Sequence, residues 1–236
     1  MITGAESAGI DDMKRLLAVL IGCAVAAGTL AGCGKSKSSS LKKGDATKLV
    51  GEWHGDKLDF GVENDTTGWI GIEQDVSDVL CLKNDGSLMM SPSTFSKDDY
   101  KFDGEKLVLE VNRKTALNMT KVEPGSADEV AGRYKLTSGQ VYDSVYNGYN
   151  KKAETNNDVK LEKGALDIYI DLGTDRSVMQ VRFPLNLEIY DSSMFIESKT
   201  VLSENMLFGM VEYDLSGDKL SISNSSGDKY KFTRAD

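Results

Sequence analysis

From about residue 48 onward, apolar residues recur mainly at every second position in short runs, with Gly, Asp and Asn between the runs. This period of two predicts half-buried strands joined by tight turns. The clearest pair is Val79–Lys83 and Ser87–Met90 around Asn84-Asp85-Gly86, whose Asp-Gly supplies the positive φ of a hairpin turn. A second pair is Asp99–Phe102 and Lys106–Val111, turning through Asp103-Gly104-Glu105. Further strands are predicted at 165–171, 177–183, 186–190, 193–199, 206–214, 218–223 and 228–234. Leu215-Ser216-Gly217 and Ser225-Ser226-Gly227 join the last three. The three prolines, Pro92, Pro124 and Pro184, are expected near strand ends, where a missing N–H costs least.

Two stretches depart from this period. Val141, Tyr142, Val145, Tyr146 and Tyr149 share one helical face, which predicts a short helix near 140–150 of about three turns across the sheet. Near the N-terminus, Leu16 through Ala27 is continuously apolar, preceded by Lys14-Arg15 and followed by small residues to Gly32. That is the layout of a secretory signal. Leu16 to Ala31 covers 16 residues, short of the roughly 20 that span a bilayer. Residues 1–12 are polar and acidic and precede a second methionine, so Met13 is the expected start. A long acidic leader would oppose the positive-inside bias.

The run Leu30-Ala31-Gly32-Cys33, followed by a tether rich in Gly, Ser and Lys over 33–47, resembles the lipobox of bacterial lipoprotein precursors. The resemblance implies cleavage between Gly32 and Cys33, with diacylglycerol in thioether linkage on Cys33. The domain would then sit outside the cytoplasmic membrane, held by lipid. Beyond that acyl lipid no cofactor is expected.

Charge and cysteine content narrow the remainder. The chain carries a net charge of −9, which argues against a nucleic-acid partner and against electrostatic attachment to anionic lipid. Of three cysteines, Cys23 lies in the apolar run and Cys33 in the lipobox. Cys81 stands alone among Val79, Leu80 and Leu82 as a buried small hydrophobe without a disulfide partner.

Short internal echoes raise the question of duplication. Val50-Gly51-Glu52-Trp53 matches Ala131-Gly132-Arg133-Tyr134, and Phe102-Asp103-Gly104-Glu105-Lys106-Leu107 matches Leu215-Ser216-Gly217-Asp218-Lys219-Leu220. One organisation has two related β modules, 48–124 and 129–236, meeting near Glu123-Pro124-Gly125; the other has a single β domain over 48–236. These segments are similar to lipocalin-like β domains of exported Gram-positive lipoproteins. The likeness rests on Leu49-Val50-Gly51-Glu52-Trp53, Asp85-Gly86, and Gly217-Asp218-Lys219-Leu220-Ser221-Ile222 with Phe232-Thr233-Arg234. It implies a mainly β, antiparallel barrel or sandwich and carries little activity with it.

Candidate chemistry is sparse. His54, the only histidine, has no neighbour in sequence suited to nucleophilic catalysis, and a multi-histidine zinc site is excluded. Asp171-Leu172-Gly173-Thr174-Asp175 and Asn84-Asp85-Gly86 lack calcium-loop spacing, so no metal site is expected. Trp53, Trp69 and Phe60 are candidates to line a barrel mouth for a small apolar or sugar ligand, with core packing as the competing role. The expectation is a lipid-anchored, non-enzymatic envelope protein that binds such a ligand or another envelope protein. The alternative is an envelope hydrolase, glycan-directed for example, using a carboxylate pair.

Overall fold

The computed structural model describes residues 42–56, 58–125, 129–156, 161–162, 164–198 and 209–235. The apolar N-terminal run, Cys33 and most of the tether lie outside these residues. The fold is mainly β and antiparallel. Its strands are β1 Gly51–Gly55, β2 Asp59–Val62, β3 Thr67–Asp75, β4 Leu80–Leu82, β5 Leu88–Met90, β6 Ser93–Phe95, β7 Tyr100–Phe102 and β8 Lys106–Val111. Then follow β9 Lys114–Pro124, β10 Gly132–Ser138, helix α1 Gln140–Asn156, β11 Asp167–Leu172, β12 Val178–Ile189 and β13 Ser193–Ser198. The chain ends with β14 Gly209–Ser216, β15 Lys219–Ser223 and β16 Lys229–Arg234.

The chain forms two compact units. The first comprises Glu73–Lys151 and Leu166–Val181; the second comprises the described parts of Ala26–Ile72, Lys152–Ala165 and Arg182–Asp236. The unit boundaries cut the chain differently from 48–124 and 129–236. They fall within β3 and within β12, and Glu123-Pro124-Gly125 lies inside the first unit.

The second unit is a closed barrel of eight strands in the order β13-β14-β15-β16-β1-β2-β3-β12, with β12 pairing back onto β13. Closure removes the sheet edges that would otherwise be open to other chains. Its interior is filled by side chains. Phe60 lies opposite both Trp53 and Ile70, and its ring centroid is 6.1 Å from that of Phe232. Leu220 opposite Phe232, Met194 opposite Val211, and Leu187 opposite Ile196 complete the packing; all are buried. The tether expected to reach residue 47 ends earlier. Lys43 bridges to Tyr190, Gly44 N–H donates to Ile189 O at 3.1 Å, and Ala46 is buried in a 3-10 turn capped by Asp45. Gly44 permits this because a Cβ there would overlap the Tyr190 carbonyl.

In the first unit a ladder runs β11-β10-β9-β8-β7, and β4-β5-β6 form a separate three-stranded sheet. The two hairpins read from the sequence are present, with Cys81 opposite Met89 and Phe102 opposite Leu107. The helix lies where the Tyr/Val stripe places it and buries Val141, Tyr142 and Val145. At 17 residues it outruns the expected three turns, because the buried face outweighs the propensity cost of Gly148.

The two predicted strands 177–183 and 186–190 are one strand, β12, so Pro184 is internal to a strand instead of near an end. The ladder accommodates it. Leu187 N–H points to Thr66 O, so the alternate position 184 faces the other side, where pairing with β13 begins only at Leu185.

Candidate functional site

The residues expected to line a ligand mouth, Trp53, Phe60 and Trp69, are all buried. Trp53 and Phe60 are fully buried within the barrel of the second unit. Trp53 Nε1–H donates to Leu49 O at 2.8 Å, and the Arg234 guanidinium lies 4.2 Å from the ring centroid. Arg234 also donates to the carbonyls of Val50 at 2.8 Å and Lys48 at 2.6 Å, latching the strand end below the ring. Trp69 covers Gly61, where any Cβ would overlap the indole, and carries the Arg182 guanidinium 3.7 Å from its ring centroid. Arg182 is itself buried and forms a two-pronged ion pair with Glu52, both contacts at 2.8 Å.

The first unit repeats the Trp53 arrangement. Tyr134 donates its hydroxyl to Val130 O, four residues back, as Trp53 does to Leu49. Lys121 lies 5.7 Å from the Tyr134 ring centroid and donates to Glu129 O. Gly51 and Gly132 hold φ of +136° and +148°, and a Cβ at either would crowd the cation, Arg234 or Lys121. The echo of Val50–Trp53 in Ala131–Tyr134 therefore corresponds to one local geometry made twice.

His54 was expected to lack a local partner. The β1–β2 register brings Asp59 opposite it, with Nδ1 to Oδ1 at 3.0 Å. Asp59 is buried and His54 half-exposed, an arrangement that orients the imidazole at the barrel surface. Cys81 is buried with its Sγ 3.2–3.3 Å from the carbonyls of Leu82, Gly173 and Thr174. Asp85 accepts from the Ser87 N–H and hydroxyl, and Asp171 pairs with Arg133, so both candidate calcium loops are occupied by internal contacts. Among the described residues no group of three or more His, Cys, Asp or Glu is placed to hold a metal.

An open cleft of about 570 Å³ lies on the first unit beside β7, at the end of the strand order. Lys97, Lys101 and Lys106 line it, with Phe102, Val108 and Glu129. The turn before β7 is fixed by Asp99, which accepts from both the N–H and the hydroxyl of Ser96 at 2.7 Å. Those two bonds hold the Asp99 carboxyl below its ordinary range, the hydroxyl contributing more. Tyr100 anchors the wall by donating to Gly86 O at 2.7 Å, and the Lys97 stem passes over Gly86, whose φ is +78°. Lys121 sits 5.3 Å from the Phe102 ring centroid. Asp103, also at the cleft, is turned to its own hairpin. It accepts the N–H groups of Lys106 at 2.7 Å and Glu105 at 3.0 Å, which lower its pKa.

No sequence period marks this cleft. Residues 97–106 hold three lysines but also Asp98, Asp99, Asp103 and Glu105, so no run of one charge marks it either. Comparison with family models, with curated proteins and with solved structures finds no match to this chain.

Proposed function

We propose that the chain is a lipid-anchored, non-enzymatic binding protein of the cell envelope, attached through Cys33. The observation that carries this reading is the succession Lys14-Arg15, an apolar run too short to span, Leu30-Ala31-Gly32-Cys33 and a polar tether. Small residues at 31 and 32 leave the bond before Cys33 open to a peptidase. A thioether-linked diacylglycerol supplies two chains, which suffices for stable attachment without help from the acidic body. Binding is assigned to the open cleft of the first unit, because the eight-stranded barrel is filled by Trp53, Phe60 and their neighbours.

The test is fractionation of bacterial cells making the native chain or Cys33→Ser, with fatty-acid labelling. The native chain takes up label and sediments with membranes, whereas Cys33→Ser takes up none. Equal labelling of the two, or none in either, would overturn the anchor.

A further inference from the structure

We infer that residues 42–125 and 129–235 are two copies of one β module that serve as each other's binding partner, each completing its fold with strands of the other. This goes beyond the anchor and the cleft and depends on neither. Outward from β3 and β12, the strand order is β3-β2-β1-β16-β15-β14 in one direction and β12-β11-β10-β9-β8-β7 in the other. Each direction takes the first three strands of one half, then the last three of the other half in reverse. The exchange runs through β3 and β12, the third strand of each half. The compact units divide after Ile72 in the one and after Val181 in the other.

Two unrelated halves would have no reason to place matching residues at matching joints, and here the joints match. Trp53 of the first half lies opposite Arg234 of the second, whose guanidinium covers the ring. Tyr134 of the second half lies opposite Lys121 of the first, whose ammonium covers that ring in turn. Each first strand thus places its aromatic under a cation from the last strand of the other half. The hairpins agree as well. Phe102 opposite Leu107 and Leu215 opposite Leu220 flank positive-φ Gly104 and Gly217, at the same step of each half. The halves differ at two connections. Residues 139–166, with helix α1, join β10 to β11, where 56–58 join β1 to β2. Between the third strand and the last three, one half carries β4-β5-β6 and the other β13.

The exchanged strands carry core residues. In the second unit Phe60 of the first half packs on Phe232 of the second. In the first unit Val76, Leu80 and Leu117 meet Val141, Ile170 and Met179 around one small apolar cavity. Either half alone leaves these faces open to water, and covering them drives the association.

The experiment places a site for a sequence-specific protease between Ser126 and Ala127 of the full chain in detergent and cuts the folded protein. The two pieces should elute together, one to one, in native size exclusion. Thermal unfolding is then followed by circular dichroism at two concentrations tenfold apart. The midpoint of the cut chain should fall on dilution, because its unfolding is now also a dissociation, while that of the uncut chain stays fixed. Pieces that separate under native conditions, or a cut-chain midpoint indifferent to dilution, would overturn the exchange.

A second variant tests the equivalence of the halves. A permuted chain running 127–236 and then 34–126 moves the connection from the β9–β10 joint to the β16–β1 joint. Ala235 N–H already donates to Glu52 O at 2.9 Å across that joint, as Gly125 N–H does to Ala131 O at 3.0 Å across the native one. The permuted chain should keep the native circular dichroism spectrum and a cooperative transition. Loss of either would overturn the equivalence, while fatty-acid labelling at Cys33 reports separately on the anchor.

Discussion

Arg234 illustrates how one side chain holds a barrel end. Its guanidinium covers Trp53 while its N–H groups take up the carbonyls of Val50 and Lys48. Replacing it with Met keeps the stem but leaves both carbonyls without this donor. Chemical denaturation should show a loss of about 1–2 kcal/mol, the usual worth of partly exposed charged hydrogen bonds. Lysine should recover only part, having no fork. Phe60 makes a different case. Phe60→Leu should cost on the order of 1 kcal/mol, read by the same denaturation, through imperfect filling of the barrel. Individual roles were only partly legible in the sequence. Gly51 and Trp53 stood out as a pair, but the cations above the two aromatic rings lie 181 residues away in one unit and 13 residues before Tyr134 in the other. The Asp59 partner of His54 was five residues off and hidden by the hairpin register.

At the scale of elements, turns carry much of the specification. Asp45, Asp75 and Asp85 each accept from the hydroxyl, and then the N–H, of a Ser or Thr two residues on; Ser96 does the same for Asp99. All four carboxyls are thereby held below their ordinary value of 3.8. Depressed folded values mean that this stabilisation is present above pH 3.8 and is lost as pH falls through the lowered values. Urea midpoints should therefore change little from pH 7 to 5 and drop below pH 4. Ser77→Ala and Ser87→Ala should lower the midpoint at pH 7 and narrow the difference between pH 7 and 3.

The β8–β9 turn offers the opposite sign. Asn112 and Arg113 both hold positive φ, at 52° and 61°, which arginine tolerates poorly. Arg113→Gly should raise stability by up to about 1 kcal/mol, measured by the same denaturation. Asn-Arg is a weaker hairpin signal than Asp-Gly, so the sequence pattern marks β4, β5, β7 and β8 but not β9. The register shift between Leu109 and Glu110 adds to this, since Ala116 and Leu117 are both buried and break the alternation.

For the whole molecule, alternation marks many of the strands but is blind to which strands meet. The echoes at Val50–Trp53 and Phe102–Leu107 were legible because each is a local geometry that uses the same few residue types twice. The pairing of β1–β3 with β12–β16 was not, since it is set by contacts more than a hundred residues apart. The separately produced segments 48–124 and 129–236 should therefore each fail to show cooperative unfolding, because each lacks strands that close the eight-stranded ring. Circular dichroism through a thermal ramp would show this, and a sharp transition in 129–236 alone would refute it.

The cleft is a product of the same topology, which leaves β7 at the end of a ladder, while the proposed anchor rests on the linear sequence alone. The most direct test of the central claim is the mass of the N-terminal peptide of the chain extracted from bacterial membranes. The account predicts a peptide beginning at Cys33 and carrying the mass of a thioether-linked diacylglycerol. A peptide beginning anywhere else, or an unmodified Cys33, would contradict it.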